Sequence, residues 1–330
     1  MTFSSLVLLA AVLAPPTQAS ATGHIDLRFS NGSVELAATV SIPDVAGPRP
    51  AVVLLAGSGP APRAGLRKFA DHFNDLGFAT LIYDKRGSGE STGDWMTASM
   101  TDMVGDAAAA LDTLRNQQGV DRTRVGVWGV SQAGWFIPVL ASREPSLAFA
   151  IVLTGGGSTP RDVEMFMHRE ALRRANASET DFAEAEQLLA AYFDWLGGNG
   201  KREDVVALIA EAKGKPWYSA IRIDRVMPSD ANRPNWEWVA AFDPLPSIER
   251  MRIPVLVLLG EADRMGSTEN SARRWREGFA RGVNNRAQVT IIEGMGHAAT
   301  IGSAHQQGSA TIPAYLTAVA AFLSTLETRR

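Results

Sequence analysis

The sequence contains no cysteine. Disulfide bonds, thiolate nucleophiles and cysteine-based metal sites are therefore excluded. An excess of charge of one sign is also missing, because 32 basic residues are balanced by 35 acidic ones and the formal net charge is −3 at pH 7. Without a broad basic surface, the chain is not expected to bind nucleic acid or an anionic membrane. Its 330 residues, with 45% hydrophobic content, can bury a sizeable core without disulfides.

Charged side chains are absent from residues 1–21. Leu6–Leu13 form a short apolar run, which two prolines and the small residues 19–21 follow. This order is typical of a secretory signal peptide, and the run is far too short to span a bilayer. We therefore expect cleavage after Ala21, export to the periplasm or the exterior, and a mature protein with no membrane segment. A buried N-terminal helix is the alternative.

Short apolar runs alternate with segments of helical spacing along most of the chain. The first two runs, 25–29 and 34–42, flank an Asn-Gly pair, which is typical of a β-hairpin. The later runs are continuously apolar, like strands buried on both faces of a parallel sheet. Strands are predicted at 51–55, 78–83, 125–128, 149–153, 255–259 and 289–292, and helices at 65–76, 100–117, 132–143, 268–280 and 312–326. This pattern predicts an α/β fold, a mostly parallel eight-stranded sheet with helices on both faces.

The alternation stops between residues 158 and 248, which carry only helix and loop patterns. The glycines at 155–157 mark the beginning of this part, which we interpret as an inserted helical cap. The expected organisation is a signal peptide (1–21), a core in two parts (22–157 and 249–330) and the insertion (158–248) between them.

One serine lies at a predicted strand-to-helix junction, in the segment Gly129-Val130-Ser131-Gln132-Ala133. The pattern is Gly-x-Ser-x-Ala, close to the Gly-x-Ser-x-Gly nucleophile elbow. A tight turn there exposes the hydroxyl of Ser131 and places the following N–H groups at a helix N-terminus, where developing negative charge is stabilised. Ser131 is therefore predicted to be the nucleophile of an acyl transfer. An exposed serine at an ordinary junction is the alternative.

A serine nucleophile needs a base, and the base needs an acid to orient it. Of the five histidines, His297 directly follows the last predicted strand. It therefore lies at the carboxyl end of a strand, where α/β folds place their sites. The alternatives are His305 and a structural role for His297. Asp263 follows the preceding strand and is the predicted acid, with Glu261 as its nearest rival. A helix-capping role for Asp263 before Ser267 and Thr268 is the structural alternative.

With these residues the chain resembles the α/β-hydrolase superfamily, and it is most similar to the esterase branch related to serine aminopeptidases and dienelactone hydrolases. The order Ser131, Asp263, His297 is the order of that architecture. Two further matches follow the third and fourth strands, at 56–60 and 83–91. The resemblance implies that the oxyanion hole is formed by the backbone N–H of Gln132 and by a second N–H in the loop after the third strand, a position that Ser58 matches.

Two other patterns are interpreted as structural. In Asp84-Lys85-Arg86-Gly87, charge-assisted hydrogen bonds are expected to hold neighbouring backbone. The pair Gly57-x-Gly59 is no nucleotide fingerprint, because Pro60 follows it and prevents a helix from beginning there.

No metal-ligand spacing occurs in the sequence. We therefore expect neither a metal nor a cofactor.

Aromatic residues near the serine and in the insertion are candidates for substrate binding, with packing between cap and core as the alternative for each. They are Trp135, Trp95, Trp217, Trp236 and Trp238. The leading function is hydrolysis of small to medium carboxylic esters, with apolar or aromatic groups, through an acyl-enzyme.

Three other functions are considered. A serine aminopeptidase or amidase would need a carboxylate for the free amine of its substrate, and the insertion offers Asp181, Glu184, Glu186, Glu203 and Asp204. A solvated acidic helix face explains these residues equally well. An acyltransferase would need a pocket that excludes water. A non-catalytic binding protein on the same fold is less expected, because serine, acid and histidine are all present.

Overall fold

A computed structural model describes residues 22–301 and 311–327. The predicted signal peptide at 1–21 lies outside the described residues, and so does His305, the alternative base. Export therefore stays a prediction. Within the described ranges, no helix has the length and apolar character needed to cross a membrane.

The described residues fold around an eight-stranded sheet. Its strands are β1 (Thr22–Asn31), β2 (Val34–Pro43), β3 (Arg49–Leu55), β4 (Ala79–Tyr83), β5 (Val120–Val130), β6 (Ala150–Leu153), β7 (Val255–Gly260) and β8 (Ala287–Ile292). Their spatial order is β1-β2-β4-β3-β5-β6-β7-β8. β2 is antiparallel to both of its neighbours, and all other neighbouring pairs are parallel. The predicted mostly parallel sheet is confirmed.

The two antiparallel strands at the beginning form the predicted hairpin. β1 extends two residues beyond the predicted end, so that Asn31 pairs with Val34 and only Gly32 and Ser33 form the loop. Gly32 has a φ of +61°, which a glycine adopts without steric cost.

Helices cover both faces of the sheet. They are α1 (Arg67–Asp75), α2 (Met100–Arg115), α3 (Ala133–Arg143), α4 (Pro160–Arg174), α5 (Glu179–Leu196), α6 (Arg202–Ala212), α7 (Tyr218–Ile221), α8 (Arg233–Ala241), α9 (Leu245–Ile248), α10 (Thr268–Arg281) and α11 (Pro313–Glu327). α2, α3 and α10 pack on the sheet face that includes Val53 and Val127. α1 and α11 pack on the other face, against Val52 and Trp128. Side chains of adjacent strand residues thus alternate between two apolar cores.

Six of the helices, α4 to α9, lie between β6 and β7. α4 to α7 share a third apolar core, which contains Leu172, Phe193 and Trp217. α8 contacts two of the cores, because Val239 packs in this third core while Trp238 packs against the core of the sheet. The insertion therefore has its own core and a second set of apolar contacts to the sheet domain.

A buried ion pair joins α2 to the loop after β4. The Arg86 guanidinium donates to Asp106 Oδ1 at 2.6 Å, and the two side chains are only 7% and 1% exposed. Asn31 of the hairpin also donates to Asp106, at 2.9 Å. The interpretation of Arg86 as a structural residue agrees with these contacts.

Replacing Asp106 with alanine is expected to lower the free energy of unfolding by about 3–5 kcal/mol, because the buried Arg86 charge then has lost its main partner. The matched control is Asp112→Ala on the same helix. Asp112 is 71% exposed, so its ion pair with Arg115 contributes less than about 1 kcal/mol. Urea denaturation of both variants measures the difference, and equal losses would contradict this account of the pair.

Candidate active site

Ser131 lies in the tight turn between β5 and α3. Its φ of +57° is in the left-handed region, which costs a non-glycine residue about 1–3 kcal/mol. Neighbouring backbone offsets this strain. The N–H of Ser131 donates to the Leu153 carbonyl of β6 at 2.9 Å, and the Ser131 carbonyl accepts from the N–H of Gly134 at 2.9 Å. The serine is thus held at the carboxyl end of the central strands.

Two glycines allow other segments to approach this turn. A Cβ atom on Gly155 would collide with the carbonyl oxygen of Ser131. A Cβ atom on Gly57 would lie 3.2 Å from the Cβ of Ser131, tighter than an ordinary contact. The turn is therefore packed between the loops that follow β3 and β6.

His297 and Asp263 are hydrogen-bonded to each other. Nδ1 of His297 lies 2.9 Å from Oδ2 of Asp263, and since a carboxylate only accepts, the ring donates from Nδ1. The other oxygen of Asp263 accepts from the N–H of Met265 at 2.8 Å. Asp263 is buried, so both contacts fix its carboxylate in one orientation. A neutral His297 ring that donates from Nδ1 carries its lone pair on Nε2, the atom that can accept a proton.

The loops that carry this pair are joined by their backbones. The N–H of Ala262 donates to the Met295 carbonyl at 2.9 Å, across the ends of β7 and β8. Glu261, the rival acid, is exposed and accepts from the N–H of Gly294 at 3.1 Å. Of the two acids, it is Asp263 that contacts the imidazole.

A cavity of about 170 Å³ brings the predicted residues together. Ser131, Asp263 and His297 line it, and Ser58 does so as well. All four follow the carboxyl ends of parallel strands, namely β5, β7, β8 and β3. The structure therefore collects, in one place, side chains that are up to 239 positions apart, counted from 58 to 297.

The remaining surface of this cavity is largely apolar. Leu259 and Met265 contribute from the β7 side, and Val163 and Met167 come from α4 of the insertion. Trp135 of α3 also lines it and donates from Nε1 to the Ser158 carbonyl at 2.8 Å. The site is thus formed between the sheet domain and the first helix of the insertion.

The other four predicted substrate-binding tryptophans do not line this cavity. Trp95 and Trp236 pack edge to face on each other, with ring centroids 5.9 Å apart. Trp238 packs in the same way on Trp135. The structure corrects the prediction that Trp217 binds substrate. This side chain lies inside the core of the insertion, where it is 1% exposed and donates to Glu184 at 3.1 Å. Sequence alone does not separate aromatic residues of a pocket from those that hold helices together.

A larger cavity, of about 520 Å³, lies at the opposite edge of the sheet, where the parallel strands begin. Phe78, Phe149 and Phe322 contribute to its apolar part, and Arg124 and Arg286 to its polar part. None of the predicted site residues lines it, so the chemistry of Ser131 belongs to the smaller cavity.

Sequence analysis missed two ionisable residues at the site. Glu164 of α4 lines the small cavity, and burial raises its pKa to about 7. Lys85 lies in the charged segment that was interpreted as structural, yet its Nζ reaches the nucleophile turn and donates to Oε1 of Gln132 at 2.7 Å. Neither residue has a signal in its local sequence that distinguishes it from surface charges.

The acidic residues proposed for amine binding lie elsewhere. Asp181 caps α5 through Ser178, and Glu184 and Glu186 form ion pairs with basic side chains. Glu203 and Asp204 belong to the first turn of α6. None of the five lines the small cavity.

Comparison with known proteins identifies the family. The family model described as X-Pro dipeptidyl-peptidase (S15 family) matches residues 31–297. The chain belongs to the S15 family. Members of this family are serine hydrolases with an α/β-hydrolase fold, so the resemblance inferred from the sequence is confirmed for fold and for reaction class.

One relative and two solved structures illustrate the range of similar proteins. The quorum-quenching protein AidA of Acinetobacter baumannii (strain MDR-ZJ06) is 29% identical over 128 residues, which are 38% of this chain and 42% of AidA. The chain thus matches less than half the length of that relative.

The esterase Pf2001 of Pyrococcus furiosus has a TM-score of 0.60 at 15% identity, covering 92% of this chain and 90% of that one. Est1E of Butyrivibrio proteoclasticus, solved with ferulic acid, has a TM-score of 0.59 at 16% identity, covering 92% and 100%. At these identities the two structures show the fold alone.

Replacing Asp263 with asparagine is expected to lower kcat by about 10⁴-fold, because an amide no longer holds the histidine in the tautomer that carries its lone pair on Nε2. The matched control is Glu261→Gln, which changes a carboxylate two positions away and should leave kcat within about threefold. Turnover of p-nitrophenyl acetate measures both. A larger loss in the Glu261 variant would reverse the assignment of the acid.

Proposed function

We propose that this serine hydrolase is a carboxylesterase that cleaves small to medium esters with apolar or aromatic acyl groups. The observation that carries the proposal is the hydrogen-bonded Asp263 and His297 beside Ser131 in a largely apolar cavity. The cavity volume, about 170 Å³, is below the roughly 300–1,000 Å³ of pockets for drug-sized ligands. Short acyl groups therefore fit the proposal best.

The proposed reaction proceeds through an acyl-enzyme. Nε2 of His297 removes the proton from Ser131, whose oxygen attacks the ester carbonyl, while Asp263 keeps the imidazole in its tautomer. The N–H groups of Gln132 and Ser58 stabilise the oxyanion. His297 then protonates the leaving alcohol, and a water molecule repeats the same steps to release the acid.

A chain-length series of p-nitrophenyl esters tests this function. Short esters should be hydrolysed faster than long ones, because the cavity limits acyl length. Ser131→Ala and His297→Ala should each lower kcat by more than about 10³-fold, since both remove a member of one catalytic unit. Ser142→Ala is the matched control, because Ser142 is an exposed serine on α3. Ester turnover that survives Ser131→Ala would refute the proposal.

A second candidate is a serine aminopeptidase, and Glu164 is the observation that favours it. Glu164 lines the cavity with Ser131, and its nearest basic neighbour is His168, with Nε2 at 3.8 Å. Burial lowers the pKa of His168 to about 4, so this ring is neutral at pH 7. A substrate ammonium group would supply the cation that the carboxylate lacks among the described residues of the cavity. The S15 family description names a dipeptidyl-peptidase, whose substrates have a free amine.

The pH dependence of KM tests Glu164. The raised pKa, about 7, means that Glu164 is neutral below pH 7 and anionic above it. The KM of a permanently cationic ester should therefore fall by about tenfold as the pH rises from 5.5 to 8.5, whereas the KM of its uncharged isostere should not. The p-nitrophenyl esters of 4-(trimethylammonio)butanoic acid and of 5,5-dimethylhexanoic acid are such a pair, and in the first the charge is on the acyl side, as in an aminopeptidase substrate.

Glu164→Gln should abolish this difference between the two esters, while the control Glu184→Gln, on the insertion surface, should retain it. Turnover of alanine p-nitroanilide but not of its N-acetyl derivative would further support the peptidase. A cation preference that is absent, or that survives in Glu164→Gln, would remove the second candidate and leave the esterase.

A further inference from the structure

Lys85 lies two residues after β4, and its side chain is buried, with 6% of the residue exposed. A buried ammonium group is costly unless hydrogen bonds and charges compensate for the water it has lost. The nearby Asp106 carboxylate is paired with Arg86 instead. Nζ of Lys85 donates to two neutral oxygens, the Gly57 carbonyl at 3.0 Å and Oε1 of Gln132 at 2.7 Å.

We propose that Lys85 positions the oxyanion hole by holding together the two segments that carry its donors. The inference rests on the proposed acyl-enzyme mechanism. One segment is the loop after β3, which contains Gly57 and Ser58, and the other is the turn after β5, which contains Gln132. A single side chain from the end of β4, the strand beside β3, joins them.

The first contact orients the proposed donor of Ser58. The Gly57 carbonyl and the Ser58 N–H belong to one peptide unit, and in a trans peptide these two groups point in opposite directions. When Lys85 holds the carbonyl on its own side, the N–H is directed to the other side. Ser58 lines the cavity with Ser131, so this orientation keeps the N–H available to a substrate oxygen. Loss of the contact would free the peptide to rotate, and a rotated carbonyl would repel an oxyanion.

The second contact fixes the residue that provides the other donor. Gln132 directly follows the nucleophile and precedes α3, and it is 7% exposed. Its side-chain amide is anchored by Lys85, so the start of the helix is held against the β3 loop. Both proposed N–H donors are therefore fixed relative to each other before substrate binds, which is the condition for preorganised stabilisation of an oxyanion.

The charge state of Lys85 does not remove these contacts. Burial lowers its pKa to about 7, although the negative charge of Asp106 acts in the opposite direction. The other charged group on Asp106 is Arg86, and the ring of Trp95 lies 5.9 Å from Nζ. An ammonium group has three N–H donors and a neutral amine has two, so either form can serve both oxygens.

Lys85→Met tests the proposal, because methionine has a similar length but no donor. An oxyanion hole acts in the transition state and not in substrate binding. We therefore expect kcat for p-nitrophenyl acetate to fall by about 10²-fold while KM changes by less than about threefold. Binding of a trifluoromethyl ketone, whose adduct with serine carries an oxyanion, should weaken in parallel with kcat. Lys68→Met, at an exposed lysine of α1, is the matched control.

One further measurement separates the role of Lys85 from the esterase proposal. The rate of labelling by a fluorophosphonate needs no knowledge of the substrate, and it should fall by about tenfold or more in Lys85→Met. If the esters are not hydrolysed but this labelling falls, the esterase proposal fails and the role of Lys85 stands. Unchanged kcat, labelling and ketone binding in a folded Lys85→Met variant would overturn the role of Lys85 alone.

A double-mutant cycle covers the case in which Lys85→Met does not fold. Gln132→Ala removes the second oxygen contact but retains the backbone N–H, so it should lower kcat without changing KM. Combined with Lys85→Gln, it should lower kcat by less than the product of the two single effects, because both changes break one hydrogen bond. Independent, multiplicative effects would contradict the proposal.

Discussion

The left-handed backbone of Ser131 is the constraint on which the rest of the site depends. It places the hydroxyl at the end of β5 and the N–H of Gln132 beside it, and it persists because β6 and two glycine-containing loops surround the turn. The strain of this conformation is offset by the parallel sheet, whose neighbouring strands supply the backbone partners. The same sheet therefore determines the fold and positions Ser131, in a chain that has no cysteine to form a disulfide.

Hydrogen bonds between loops on two sides of Ser131 fix the rest of the site. On one side, the hydrogen bond between Asp263 and His297 joins the loops after β7 and β8. On the other side, Lys85 joins the loops after β3 and β5 through hydrogen bonds to neutral oxygens. The first orients the base, and the proposed role of the second is to orient the oxyanion donors. The insertion lines another side of the cavity, where α4 contributes Glu164.

The fold was predictable from sequence because its strands are continuously apolar and its helices have helical spacing. Ser131, Asp263 and His297 were predictable because each follows such a strand, and parallel strands end at one edge. Lys85 and Trp217 were not, since their roles depend on which distant groups they contact. Local sequence specifies that Lys85 is charged, but only the packing of β4 beside β3 turns its side chain toward Gln132.

We propose that Ser131 is a nucleophile activated by His297. The most direct measurement is mass spectrometry of the tryptic peptide 125–143 after reaction with a fluorophosphonate, in the unaltered protein and in His297→Ala. We expect one adduct, located on Ser131, and nearly no adduct at the same time point in the variant. An adduct on another residue, or equal labelling of Ser131 without the histidine, would contradict it.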